Sequence, residues 1–148
     1  MKVVSVAVSP RTGTGKTPVP AIRLIAGRGI EGDAHAGDWH RQVSLLAAER
    51  IEEVREAGVP VSYGDYAENV ATVGIDWKTV PVGTRVRLGA EVEIEITQIG
   101  KKCHSGCEIA RLTGDCIMPR EGVFARVLAG GTVAPGDTVE LAPAVVGK

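Results

Sequence analysis

The sequence predicts a β-barrel or a β-rich α+β domain, and three observations carry that expectation. Valine occurs 21 times in 148 residues, and its branched side chain, stiff at χ1, suits a pleated surface. Gly 19 and Pro 8 exceed the usual combined share of about 12% and supply many tight turns. Apolar residues recur with the helical period in one confident stretch only, whereas several short runs read as strands.

Lys2 to Val8 reads as the first strand, ended by Ser9-Pro10, because proline cannot donate to a ladder. Val19 to Ile25 reads as the second. Between them, Gly15-Lys16-Thr17 resembles the end of a P-loop, but Pro10 stands where that motif needs its first glycine. Pro18 and Pro20 follow where it needs a helix, so a hairpin turn is expected instead. A helix is expected from about Ser44 or Ala47 to Ala57, with Leu46, Ala47, Arg50, Ile51, Val54 and Ala57 as its packed stripe and Glu49, Glu52, Glu53 and Glu56 wet. Gly58 and Pro60 stop it. Thr84–Leu88 and Glu91–Ile99 are further strands, the second turning Glu91, Glu93 and Glu95 outward and Val92, Ile94 and Ile96 inward. Its charges suggest an exposed edge guarded against stray pairing. Gly83–Leu88 is echoed by Gly136–Leu141, a strand entry used twice. No linker divides the chain, so residues 1–148 are expected to form one domain.

Composition narrows the function. The chain is 44% hydrophobic, and its 17 Lys+Arg against 18 Asp+Glu leave a formal charge of -1. That is enough apolar material for a core, without the basic face of a general nucleic-acid binder. No apolar run approaches the roughly 20 residues that cross a bilayer, and the apolar start before Pro10 is too short for a signal sequence. A cytoplasmic protein is expected. Three cysteines, an odd number without an export signal, point to reduced thiols rather than a disulfide framework.

Three regions could carry chemistry. Gly32 to Gln42 holds Asp33, His35, Asp38, His40 and Arg41 in a glycine-rich loop. Histidine there suits metal binding or proton transfer, and Arg41 offers a fork for phosphate or carboxylate. The plainer reading is that these groups satisfy one another and the turn. Gly64 to Val70 contains Glu68 and Asn69, and Asn69 fits a ligand amide or a capped turn equally well. Lys101-Lys102-Cys103-His104-Ser105-Gly106-Cys107, with Cys116 beyond, lacks the order of a haem attachment site. Cys103, His104, Cys107 and Cys116 could nominally hold a structural zinc, although adjacent ligands reach one ion poorly. The lysines and His104 favour thiolate, which is both nucleophile and soft metal ligand. Cys116 reads instead as a small buried residue.

Taken together, Gly29-Ile30-Glu31-Gly32-Asp33-Ala34-His35, Arg41–Leu46, Ala67-Glu68-Asn69-Val70, Cys103–Cys107, Met118–Phe124 and Pro135-Gly136-Asp137 resemble the MOSC domain, the C-terminal domain of molybdenum cofactor sulfurases. The match runs in order over nearly the whole chain and looks like a stand-alone bacterial-type member. The resemblance implies a closed β-barrel of complex topology with a few short helices. It further implies binding of the molybdenum cofactor (molybdopterin), or carriage of sulfur as a persulfide, on one cysteine that corresponds to Cys107. Cys107 is thus the expected catalytic residue and metal ligand, with Cys103 as a resolving neighbour. The activity implied is sulfur transfer, oxidoreduction or delivery alone. A cofactor ending in phosphate needs cations and polar groups, for which Asp33, His35, Arg41, Asn69, Lys101, Lys102 and Arg120 are the candidates by neighbourhood. The 148 residues include neither a desulfurase domain nor a pyridoxal phosphate site. Any such chemistry is therefore expected of a partner enzyme, a cysteine desulfurase or a molybdopterin-biosynthesis protein. The competing expectation is a zinc-binding structural or interaction domain on Cys103, His104, Cys107 and Cys116. A weaker one is a hydrolytic metal on Asp33, His35 and His40.

Overall fold

The computed structural model describes residues 1–10, 15–100 and 122–142. Among them the chain is mainly β with one α-helix. Eight strands form a sheet in the order β11-β7-β8-β9-β5-β6-β1-β2, and three form a second in the order β10-β3-β4. In chain order these strands are β1 Lys2–Val8, β2 Thr17–Val19, β3 Ile22–Ile25, β4 Gly29–Ile30, β5 Val43–Ala47, β6 Val70–Val73, β7 Arg85–Leu88, β8 Val92–Ile99, β9 Val123–Ala129, β10 Gly131–Val133 and β11 Val139–Ala142. Helix α1, Ala48–Glu56, follows β5 directly.

Strand β5 organises the centre. All five of its residues are buried. Val43, Leu45 and Ala47 enter the main core beside Val6, Val70, Ile94 and Val127, and Leu46 enters a second cluster with Ile51, Tyr66 and Phe124. A strand covered on both faces need not alternate, and in β5 only Ser44 interrupts the apolar run. Its pairing with β6 is parallel, Leu45 opposite Val70, so the chain must cross over between them, and α1 is part of that crossover.

Several expectations are corrected here. The helix begins at Ala48, because the stretch from Ser44 belongs to β5. The stretch Val19–Ile25 is two strands: β2 pairs with β1 and β3 with β10 and β4, with Pro20 at the break. Glu91–Ile99 is no edge, since β8 lies between β7 and β9. Its carboxylates serve cross-strand pairs, Glu95 with Arg126 at 2.7 Å and Glu93 with Arg85 at 3.6 Å. The two echoed strand entries, β7 and β11, pair with one another, Val86 opposite Leu141 and Leu88 opposite Val139.

Strand β1 uses one side twice. Its second half pairs with β2, while near its start Val3 N–H donates to Asp137 O and Gly136 N–H to Val3 O, each at 2.8 Å. A single bridge, Lys2 to Thr138, joins β1 to the approach of β11 in place of a full ladder. Among the described residues no helix is long and apolar enough to cross a membrane.

Candidate functional site

Where β1 ends, its last backbone groups meet the glycine-rich loop between β4 and β5. Asp33 Oδ1 accepts from Ser9 N–H at 3.0 Å and from the Lys16 ammonium at 2.8 Å, and Oδ2 accepts from His35 N–H at 3.1 Å. Ala34 N–H returns a bond to Ser9 O at 2.7 Å. The Lys16 and Asp33 side chains are 1% and 0% exposed, so this is an ion pair sealed from water. Burial pushes the Asp33 carboxyl up, but hydrogen bonding from Lys16, Ser9 and the His35 backbone N–H and the charge of Lys16 outweigh it and hold it well below the usual carboxylate range. The Lys16 ammonium also lies 3.0 Å from His35 Nδ1.

Lys16 itself is positioned by the loop before β6. Its N–H donates to Gly64 O at 2.7 Å. Gly64 has a φ of +92°, and a Cβ there would collide with the Lys16 carbonyl oxygen, so only glycine permits the approach. Glu68, in the same loop and 1% exposed, accepts from Gly64 N–H at 2.7 Å and Tyr66 N–H at 3.2 Å. Burial pushes its carboxyl up to about 7 despite those donors.

On the outer side the loop forms a rim. Trp39 is 42% exposed, its indole N–H donates to His35 O at 2.7 Å, and its ring lies nearly parallel to that of His35, 6.2 Å between centroids. The Arg41 guanidinium sits 5.6 Å from the ring centroids of both Trp39 and Phe124. Arg41 Nε donates to Gln98 Oε1 at 3.1 Å, and His40 Nε2 lies 2.9 Å from the same oxygen. Gln98 in turn donates to Gly100 O at 2.7 Å, and Gly100 N–H donates to Gly122 O at 2.7 Å. The rim therefore adjoins the points where the chain leaves for, and returns from, residues 101–121.

The sequence-predicted residues separate accordingly. The structure brings His35 and Arg41 to the rim. Asp33 is spent on Ser9, Lys16 and His35. Asn69 is fully buried and spent inside the sheet: Oδ1 accepts from Ser44 N–H and Oγ at 3.0 and 3.1 Å, and Nδ2 donates to Ala7 O at 3.0 Å. It ties β1 and β5 to the start of β6. Asn69→Ala is expected to lower stability by about 2–3 kcal/mol in urea unfolding, because buried backbone groups on two strands lose their partner. The hydrolytic metal on Asp33, His35 and His40 is not supported: among the described residues no three His, Cys, Asp or Glu groups could hold an ion. His35 Nδ1 faces Lys16, and His40 faces Gln98. Cys103, His104, Cys107, Cys116, Lys101, Lys102 and Arg120 lie outside the described residues. Lys16 enters the sequence pattern only as part of a rejected P-loop end, and Gln98 only as a strand residue. The one sequence signal of Lys16 as a site residue is a lone cation between Gly15 and Thr17-Pro18 at a strand entry.

A MOSC domain model matches residues 32–140, and the chain belongs to the MOSC family. Among solved structures, the chain is similar to the YuaD protein of Bacillus subtilis, 19% identical with a TM-score of 0.76 over 95% of this chain and 94% of that one. It is also similar to YiiM of Geobacillus stearothermophilus, 21% identical with a TM-score of 0.71 over 96% and 75%. YiiM of Escherichia coli is 22% identical, with a TM-score of 0.68 over 98% and 71%. These likenesses are of fold. No curated protein matches the sequence.

Proposed function

We propose that residues 1–148 are a single cytoplasmic MOSC domain that binds the molybdenum cofactor or carries sulfur on Cys107, the near-return of β11 onto β1 closing its barrel. The observation that carries this reading is the junction at Gln98. There the Arg41 rim meets Gly100 and Gly122, the residues that bracket the cysteine-bearing stretch. The donor set fits a flat, anionic cofactor. Among the described residues the terminal guanidinium N–H groups of Arg41 make no hydrogen bond, and Trp39 is open to solvent. Lys101 and Arg120 would add charge, and Asp33 and Asn69 would act through the backbone they hold. When bound, the cofactor would supply a metal able to transfer oxygen, sulfur or electrons, with Cys107 as its soft ligand.

As a carrier, the Cys107 thiolate would attack the outer sulfur of a desulfurase persulfide. A new sulfur–sulfur bond forms, the donor's bond breaks, and the donor leaves as a thiolate. The test is the mass of the unreduced protein after incubation with a cysteine desulfurase and cysteine, or with isolated cofactor. One added sulfur that survives denaturation, vanishes with reductant and is absent from Cys107→Ser is the carrier result. A cofactor-sized adduct released on denaturation is the binding result. Neither adduct, or either one unchanged in a folded Cys107→Ser, would overturn the reading.

A further inference from the structure

The Lys16–His35 contact fixes more than charge. An ammonium has only donors, so at 3.0 Å from Lys16 Nζ the His35 Nδ1 must present its lone pair. That assigns the ring proton to Nε2. Asp33 Oδ2 lies 3.5 Å from the same Nδ1 and is the acceptor that would draw a proton there if Lys16 were absent. Two buried charges thus compete for one nitrogen, and the ammonium holds the shorter contact. His35 Nε2 makes no hydrogen bond among the described residues.

Beside that N–H the rim offers a ring and a charge. The Trp39 N–H is committed to His35 O, which fixes the indole while leaving its surface two-fifths exposed. Arg41 donates through Nε to Gln98 and lies against the Trp39 and Phe124 rings, and among the described residues its terminal N–H groups make no hydrogen bond. An exposed indole selects a flat ring, Nε2–H an acceptor atom, and a guanidinium a negative group.

We infer that Lys16 is a positioning residue: it sets His35 as an Nε2–H donor to a flat, anionic heteroaromatic ligand stacked on Trp39 beside Arg41. The assignment deepens the cofactor reading and rests on it for the ligand class. The tautomer stands on geometry alone.

The probe is pterin-6-carboxylate, which has the ring and the charge but no metal and no sulfur. Trp39 is the exposed tryptophan and Trp77 the buried one, 1% exposed, so emission from Trp77 reports folding. Saturable quenching is expected in the wild type and in Cys107→Ser alike. Trp39→Phe should abolish the quenching, and His35→Phe, which keeps an aromatic ring beside Trp39, should weaken binding about fivefold by calorimetry. Nitrogen-15 NMR should find Nε2 protonated in the wild type, the proton moved to Nδ1 in Lys16→Gln, and the original form kept in Lys16→Arg. If Lys16→Gln does not fold, the wild-type spectrum decides. A proton on Nδ1 in the wild type overturns the positioning role. Quenching that does not saturate, or that survives Trp39→Phe, overturns the ligand site. Because Cys107 is not needed by the probe, failure here with sulfur loading intact would refute this inference and leave the carrier role standing. The reverse result would do the opposite.

Discussion

Lys16→Met is expected to cost the folded chain about 3–5 kcal/mol at neutral pH, because it leaves the Asp33 carboxylate buried without its cation. Asp33→Asn should cost a similar amount by stranding the ammonium. The double variant should cost clearly less than the sum, since no unpaired charge then remains in the interior. Urea unfolding of the four proteins closes the cycle. Additive costs would mean that the pair, bonded at 2.8 Å, is not energetically coupled. The pH dependence has a definite sign. Asp33 holds its proton more weakly folded than unfolded, so its contribution is complete above the ordinary value of 3.8 and is lost as pH falls below it. The wild type should therefore lose stability in that acidic range, and Asp33→Asn should lose that part of the slope.

Glu68 works in the other direction. Its carboxyl titrates near 7 when folded against an ordinary 4.5, so the folded chain binds this proton more tightly than the unfolded chain does. Stability from this group is fullest below 4.5 and declines as pH rises to about 7, by roughly 3 kcal/mol. Glu68→Gln should flatten that decline while costing something at every pH, because an amide can offer only its oxygen to the Gly64 and Tyr66 donors. A wild type whose urea midpoint is level between pH 5 and 7 would refute this. With both carboxyls acting, the chain should be most stable in mildly acidic solution, with Asp33 already ionised and Glu68 still protonated.

The elements legible in the sequence are those with one wet face. Strand β8 could be read residue by residue because Val92, Ile94 and Ile96 are buried while Glu93 and Glu95 are only partly covered. Strand β5 could not, since burial on both faces erases alternation and leaves a run that also suits a helix. At the site, the glycine-rich loop was visible from its composition, and its polar groups divide between the two readings: Asp33 satisfies the turn, while His35 and Arg41 reach the rim. Lys16 was invisible as a partner because Asp33 and His35 lie 17 and 19 residues away, beyond any local pattern. Asn69 had the right chemistry for a ligand, and only the neighbouring strands reveal that its oxygen accepts twice from Ser44 and its nitrogen donates to Ala7, inside the sheet.

The double use of β1 has a kinetic corollary. Its start is hydrogen-bonded to Gly136 and Asp137 and its middle to the residues of β6 around position 70, so a strand made well before residue 136 is completed only after it. A chain emerging from the ribosome cannot finish that strand until Gly136 and Asp137 are available. Such long-range closure carries a large entropic cost before it gains contacts, and it favours slow, all-or-none folding over assembly from the N-terminus.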